Sequence, residues 1–226
     1  MSRITFLLLF QLVIFNPVLA QDPHRFQAEI DVYKASSETF APAGDRILFT
    51  GSSTIRLWPD LRADFPGFNV MNRGFGGSHM SDLLFYADTL IMPYKPDWIF
   101  IYEGDNDLAS GKTAEEILAS AGELITRIRQ KLPGARICFM AAKPSLARWN
   151  LKDNYLDFNR LLKKFVRRYR HVYLLDMWNK MLDPGGKPMA DIFVADGLHM
   201  NRKGYDIWMN EVSSFLKNHR IGKKQT

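Results

Sequence analysis

Two short stretches carry the residue types needed for nucleophilic chemistry. The first is Gly51-Ser52-Ser53-Thr54-Ile55, a glycine and two hydroxyls directly after the run Arg46 to Thr50. The second is Asp196-Gly197-Leu198-His199, where an acid stands three residues ahead of a histidine. That spacing lets one tight loop present both side chains, the carboxylate holding the imidazole in one tautomer while the other ring nitrogen faces a serine. Such a trio activates a serine for attack on an acyl carbonyl. Each piece also has a plainer reading: Ser52 or Ser53 suits the N-cap of a helix, and a lone Asp and His are commonly structural.

Two further stretches supply groups for a developing negative charge. Asn72-Arg73-Gly74-Phe75-Gly76-Gly77-Ser78 has three glycines in four residues, which lets backbone N–H groups approach a ligand without Cβ interference. Gly104-Asp105-Asn106-Asp107 offers an amide side chain that could donate to an oxyanion, although Gly, Asn and Asp are also ordinary turn formers.

These groups need a frame. Five runs rich in β-branched and aromatic residues predict buried strands at Arg46 to Thr50, Phe68 to Met71, Asp97 to Tyr102, Arg136 to Ala141 and Val172 to Leu175. Between them, 3.6-residue periodicity predicts helices over His79 to Leu90, Thr113 to Leu132 and Leu151 to Arg170. Thr113 with Glu116 forms a capping box for the second, and Pro133-Gly134 stops it. A leading helix is expected within Asp22 to Phe40 and a closing one over Lys203 to His219. Strands alternating with helices imply an α/β fold with a parallel sheet covered on both faces. The ligand site of such a sheet lies at the carboxyl ends of its strands, which is where the serine, the glycine-rich turn and Asn106 fall.

Taken together, these blocks resemble those of the SGNH (GDSL-like) hydrolase family, from Gly51 to Tyr205. Gly51-Ser52-Ser53 matches its Gly-Asp-Ser block and Gly77 its oxyanion glycine. Gly104 to Asp107 matches its Gly-x-Asn-Asp block, and Asp196 to His199 its Asp-x-x-His block. The resemblance implies a three-layer, flavodoxin-like α/β/α sandwich on a five-stranded parallel sheet, a serine hydrolase without cofactor or metal. Ser53 would be the nucleophile, His199 the base and Asp196 its orienting acid. The oxyanion hole would consist of the backbone N–H groups of Ser53 and Gly77 and the Asn106 side chain. The family's Asp before the serine is Ser52 here, and the Asp that often follows the oxyanion glycine is Ser78. Ser52 is thereby a rival nucleophile, with Ser53 favoured because the family's serine is the third residue of its block.

Substrate contacts are expected from Arg73, Phe75, Met80, Trp149 and Met200 by proximity to the motifs, although each also suits ordinary packing. The loop 142–150, with Lys143-Pro144 and Arg148-Trp149, is a further candidate. The expected substrate is a small-molecule or carbohydrate ester with a short acyl chain, acetyl foremost. Lysophospholipase or thioesterase activity and a catalytically silent glycan-binding role are the alternatives. A metal-dependent phosphoesterase built on Asp105, Asn106, Asp107, Asp196 and His199 is a poorer reading, because only five histidines exist and just His199 lies in a motif.

The chain has 226 residues and opens with Met1-Ser2-Arg3, an almost uncharged apolar stretch, and Val18-Leu19-Ala20. That pattern marks residues 1–20 as a cleaved secretory signal and residues 21–226 as one hydrolase domain, secreted or periplasmic. Asn16-Pro17 interrupts the run, and a membrane span wants about 20 continuous apolar residues. With Cys138 as the only cysteine, no internal disulfide is possible, and its place among apolar residues suits a buried strand. The net charge of +6 is modest. Its basic residues cluster on amphipathic helical patterns with no base-stacking motif, so nucleic acid is not an expected partner.

Overall fold

The computed structural model describes residues 22–219. The signal read over residues 1–20 lies outside them. Five strands form one sheet: β1 (Arg46–Gly51), β2 (Asn69–Gly74), β3 (Trp98–Tyr102), β4 (Arg136–Met140) and β5 (Val172–Leu175). All neighbours run parallel, in the order β2-β1-β3-β4-β5. The helices are α1 (Gln27–Ala35), α2 (Ser53–Arg56), α3 (Leu61–Asp64), α4 (Met80–Leu90), α5 (Asp105–Ala109), α6 (Ala114–Lys131), α7 (Lys152–Val166) and α8 (Arg202–Asn218).

Successive strand residues point to opposite faces, and both faces are apolar. Leu48, Ile99, Ile101, Ile137 and Phe139 face α1, α4, α6 and α7, whereas Ile47, Phe49, Trp98, Phe100, Cys138 and Met140 face α2, α3 and α8. The result is a three-layer α/β/α sandwich. Cys138 is buried within its strand, and burial pushes its thiol well up from the ordinary value.

Helix α6 begins with the reciprocal bonds foreseen: Glu116 N–H donates to Thr113 Oγ1 at 3.2 Å and Thr113 N–H to Glu116 Oε2 at 2.7 Å. Strand β2 starts one residue later and ends three residues later than its composition suggests. Asn72, Arg73 and Gly74 look like loop, but they pair in register with Phe49, Thr50 and Gly51 of β1. Helix α7 ends at Val166, short of Arg170. The short helices α2, α3 and α5 have no periodic signal, because one turn is too brief to show one.

The sheet order reverses between β1 and β3, and a crevice opens at such a switch point outside the carboxyl ends of the strands. Ser53 follows β1 and Asn106 follows β3, so both border it.

Candidate active site

β1 ends on Gly51, whose φ is +119° and where a Cβ would lie 2.1 Å from the Tyr102 carbonyl oxygen of β3. Only glycine can let the chain cross the end of β3 there. Ser52 N–H then donates to that same carbonyl at 3.0 Å, and Ser52 is buried. Ser52 occupies the N-cap position of α2 but makes no capping bond with its side chain. Ser53 is half-buried, and its Oγ lies 2.9 Å from His199 Nε2. Of the two hydroxyls, Ser53 is therefore the one against the imidazole.

His199 Nδ1 lies 2.6 Å from Asp196 Oδ2. The other carboxylate oxygen accepts from Leu198 N–H at 2.8 Å and His199 N–H at 2.9 Å, closing the loop through Gly197 at φ +64°. Burial, the largest single influence, works upward on the Asp196 carboxyl. The bonds from the His199 ring and the two N–H groups outweigh it and bring the carboxyl down to about 2. Asp196 is thus a carboxylate wherever the protein is folded near neutrality. With the imidazole proton on Nδ1 donating to it, Nε2 is free to accept from Ser53.

The glycine-rich turn is laced to the other motif loops. Phe75 N–H donates to Gly51 O at 2.8 Å, and Asn106 Nδ2 donates to Ser78 O at 3.0 Å. Gly77 is exposed and Asn106 half-buried. Among the described residues, the backbone N–H groups of Ser53 and Gly77 donate to no backbone carbonyl. Beneath the turn, Ser78 Oγ donates to Glu103 Oε1 at 2.6 Å. Burial, with Asp107 nearby, pushes the Glu103 carboxyl well above the usual carboxylate range.

The expected substrate contacts fare differently. Arg73 is 1% exposed; it is bonded to Glu38 and lies between the rings of Tyr33 and Tyr94. Phe75 is fully buried against Phe26 and Tyr86. Met80 and Met200 are equally committed to the two cores. Proximity in sequence did not set their direction: Arg73 lies on β2, in a sheet covered on both faces, Phe75 and Met80 pack into the core beyond it, and the bridge between Phe193 and Met200 closes Met200 in. As placed, none of the four has surface to offer a substrate. Trp149 keeps part of its ring exposed and stacks on Trp178.

The Gly104 to Asp107 block and the loop 142–150 also gather at the site, but their charged side chains meet one another. Asp105 is buried beside Lys143, Arg148 and the hydroxyls of Tyr102 and Tyr155. Asp107 accepts from Met80 N–H and Lys112. Both carboxylates are occupied by protein donors, which does not fit the metal-dependent alternative. Among the described residues, no group of three or more His, Cys, Asp or Glu side chains could hold a metal ion. Lys143 and Arg148, expected to contact substrate from the loop after β4, instead pair with Asp105.

A five-stranded parallel α/β/α sandwich with a serine, a histidine and an aspartate in a hydrogen-bonded chain at its carboxyl edge defines a class of hydrolase-like folds. The chain matches the GDSL-like Lipase/Acylhydrolase family over residues 40–207 and belongs to it. No curated protein matches it by sequence. Among solved structures, a Streptococcus pneumonia protein is 19% identical and aligns with a TM-score of 0.74 over 86% of this chain and 92% of its own. A GDSL-like lipase from Bacteroides thetaiotaomicron is 14% identical, with a TM-score of 0.70 over 88% and 98%. A carbohydrate esterase family 3 protein from Talaromyces cellulolyticus is 16% identical, with a TM-score of 0.62 over 77% and 97%. Membership of this family places the chain among lipases and acylhydrolases, enzymes that hydrolyse esters. No helix among the described residues is long and apolar enough to cross a membrane.

Proposed function

We propose that the protein is an exported serine esterase that removes short acyl groups, acetyl foremost, from small or carbohydrate esters. The observation that carries this reading is the chain Ser53 Oγ to His199 Nε2 at 2.9 Å and His199 Nδ1 to Asp196 Oδ2 at 2.6 Å. His199 takes the Ser53 proton as Oγ attacks the acyl carbon, and Asp196 stabilises the imidazolium. The tetrahedral oxyanion is held by the N–H groups of Ser53 and Gly77 and by the Asn106 amide. It collapses as His199 protonates the leaving alkoxide, leaving an acyl-Ser53 ester. Water, deprotonated by the same imidazole, then releases the acid and restores Ser53.

A short acyl group is supported by packing. Phe75, Met80 and Met200, the apolar side chains expected to contact substrate, belong to the cores and offer no lining to a long chain. The fold shared with a carbohydrate esterase supports a sugar as the alcohol part. The apolar opening over residues 1–20 supports export.

The test is fluorophosphonate labelling with peptide mapping, run beside hydrolysis of p-nitrophenyl acetate, p-nitrophenyl octanoate, acetylated xylan and a lysophospholipid. A single adduct on Ser53, lost in His199→Ala, with acetate favoured over octanoate, is the expected result. No adduct and no turnover would sink the esterase reading and leave a glycan-binding role. A preference for the lysophospholipid would overturn the acyl-chain assignment.

A further inference from the structure

The loop after β4 touches both halves of the site. Arg148 donates from Nη1 to Asp105 Oδ1 at 2.5 Å and from Nη2 to Asn106 Oδ1 at 2.9 Å. Asn106 in turn donates from Nδ2 to Ser78 O at 3.0 Å. The amide is therefore held at both ends. A guanidinium on its oxygen fixes which end is oxygen, because Arg has donors only. It also draws electron density toward that oxygen, which makes the remaining Nδ2 hydrogen a stronger donor.

The guanidinium is itself held in place. Asp105 is buried, which alone would raise its carboxyl, but Lys143 and Arg148 beside it, with the Tyr155 hydroxyl, hold it below the usual carboxylate range. An ionised Asp105 gives Arg148 a fixed charge to lean on, and bonding to two acceptors at once orients a planar guanidinium.

We propose that Arg148 is a positioning residue for the reaction: anchored on Asp105, it sets the orientation and donor strength of the Asn106 amide that meets the oxyanion. The inference rests on the serine-esterase reading above. It assigns the Arg148 guanidinium to the enzyme's own machinery, in place of the substrate contact foreseen for its loop.

The experiment is a double-mutant cycle with p-nitrophenyl acetate. Arg148→Ala in the otherwise unaltered protein should lower kcat about 10- to 100-fold, as expected when a catalytic group is misplaced, with KM changed less than about twofold. In the Asn106→Ala background the same substitution should cost less than about twofold, since the amide it serves is gone. Arg148→Lys should not restore the rate, because an ammonium cannot bridge both acceptors in one plane. Added guanidinium should rescue Arg148→Ala in part and the double variant not at all, which keeps the test valid if the variant is less stable. Equal losses in both backgrounds, or rescue independent of Asn106, would overturn the inference while leaving the esterase intact. If unaltered protein neither labels on Ser53 nor turns over, the esterase reading itself fails and takes the inference with it.

Discussion

Lys143 Nζ donates to the carbonyl oxygen of Leu198 at 2.8 Å, so a residue of the loop after β4 holds the loop that carries the histidine. Ala147 N–H adds a second tie to Gly197 O at 3.0 Å. Lys143 is buried and lies 3.6 Å from Asp105 Oδ2, which fixes its ammonium from the other side. Replacing it with methionine keeps length and removes the bond. Lys143→Met should slow fluorophosphonate labelling of Ser53 by about tenfold, the scale of loss for a loosened catalytic group. Labelling at the original rate would mean that His199 is positioned without this tie.

Asp105 should matter for stability in a way that depends on pH. Its carboxyl is held below the ordinary value of 3.8, so its contribution is fully present above that value and is lost as pH falls through the folded-state value. Asp105→Asn leaves Lys143 and Arg148 without their counter-charge and should cost about 3–5 kcal/mol near neutrality. Urea unfolding across a pH series should show the gap between the two proteins narrowing below about pH 4. A gap that stays constant into strong acid would show that the charge of Asp105 is not what stabilises.

The acid limb of kcat/KM should contain no proton from Asp196. Its carboxyl is held down to about 2, so it stays ionised through the measurable range. A limb steeper than one proton would show that the carboxylate titrates there as well. Asp196→Asn should instead lower the plateau, because an amide does not hold the imidazolium charge.

Arg73 and Asn106 should separate cleanly by what they damage. Arg73 fills a buried place between Tyr33 and Tyr94 and pairs with Glu38. Arg73→Met should lower stability by about 2 kcal/mol and leave KM unchanged. Asn106→Ala should leave the unfolding midpoint nearly where it was and cut kcat by about 10² to 10³. Thermal melts and steady-state kinetics on the two variants check both statements. A raised KM in Arg73→Met would return that residue to the substrate.

Much of the frame was legible in the order of residues. Period-two and period-3.6 apolar patterns answer directly to burial on a sheet face or a helix stripe, which is why β1, β3, α6 and α8 lie within a residue or two of their expected bounds. The motif residues were legible for a related reason. Ser53, Asn106 and the Asp196-His199 pair each follow a strand or close a tight loop, and short-range spacing governs such local geometry. The register of β2 was not legible, because its last three residues are polar or glycine and only pairing with β1 makes them strand.

The tertiary structure alone decided which neighbours of the motifs face outward. Phe75, Met80 and Met200 sit beside motif residues in the chain yet turn into the cores, whereas Asp105, Lys143 and Arg148, from two separate loops, meet in one buried cluster. Local pattern reports what a residue's immediate backbone will do. Charge pairing between residues some forty positions apart depends on how β3 and β4 stack side by side, and that information exists only once the sheet has formed.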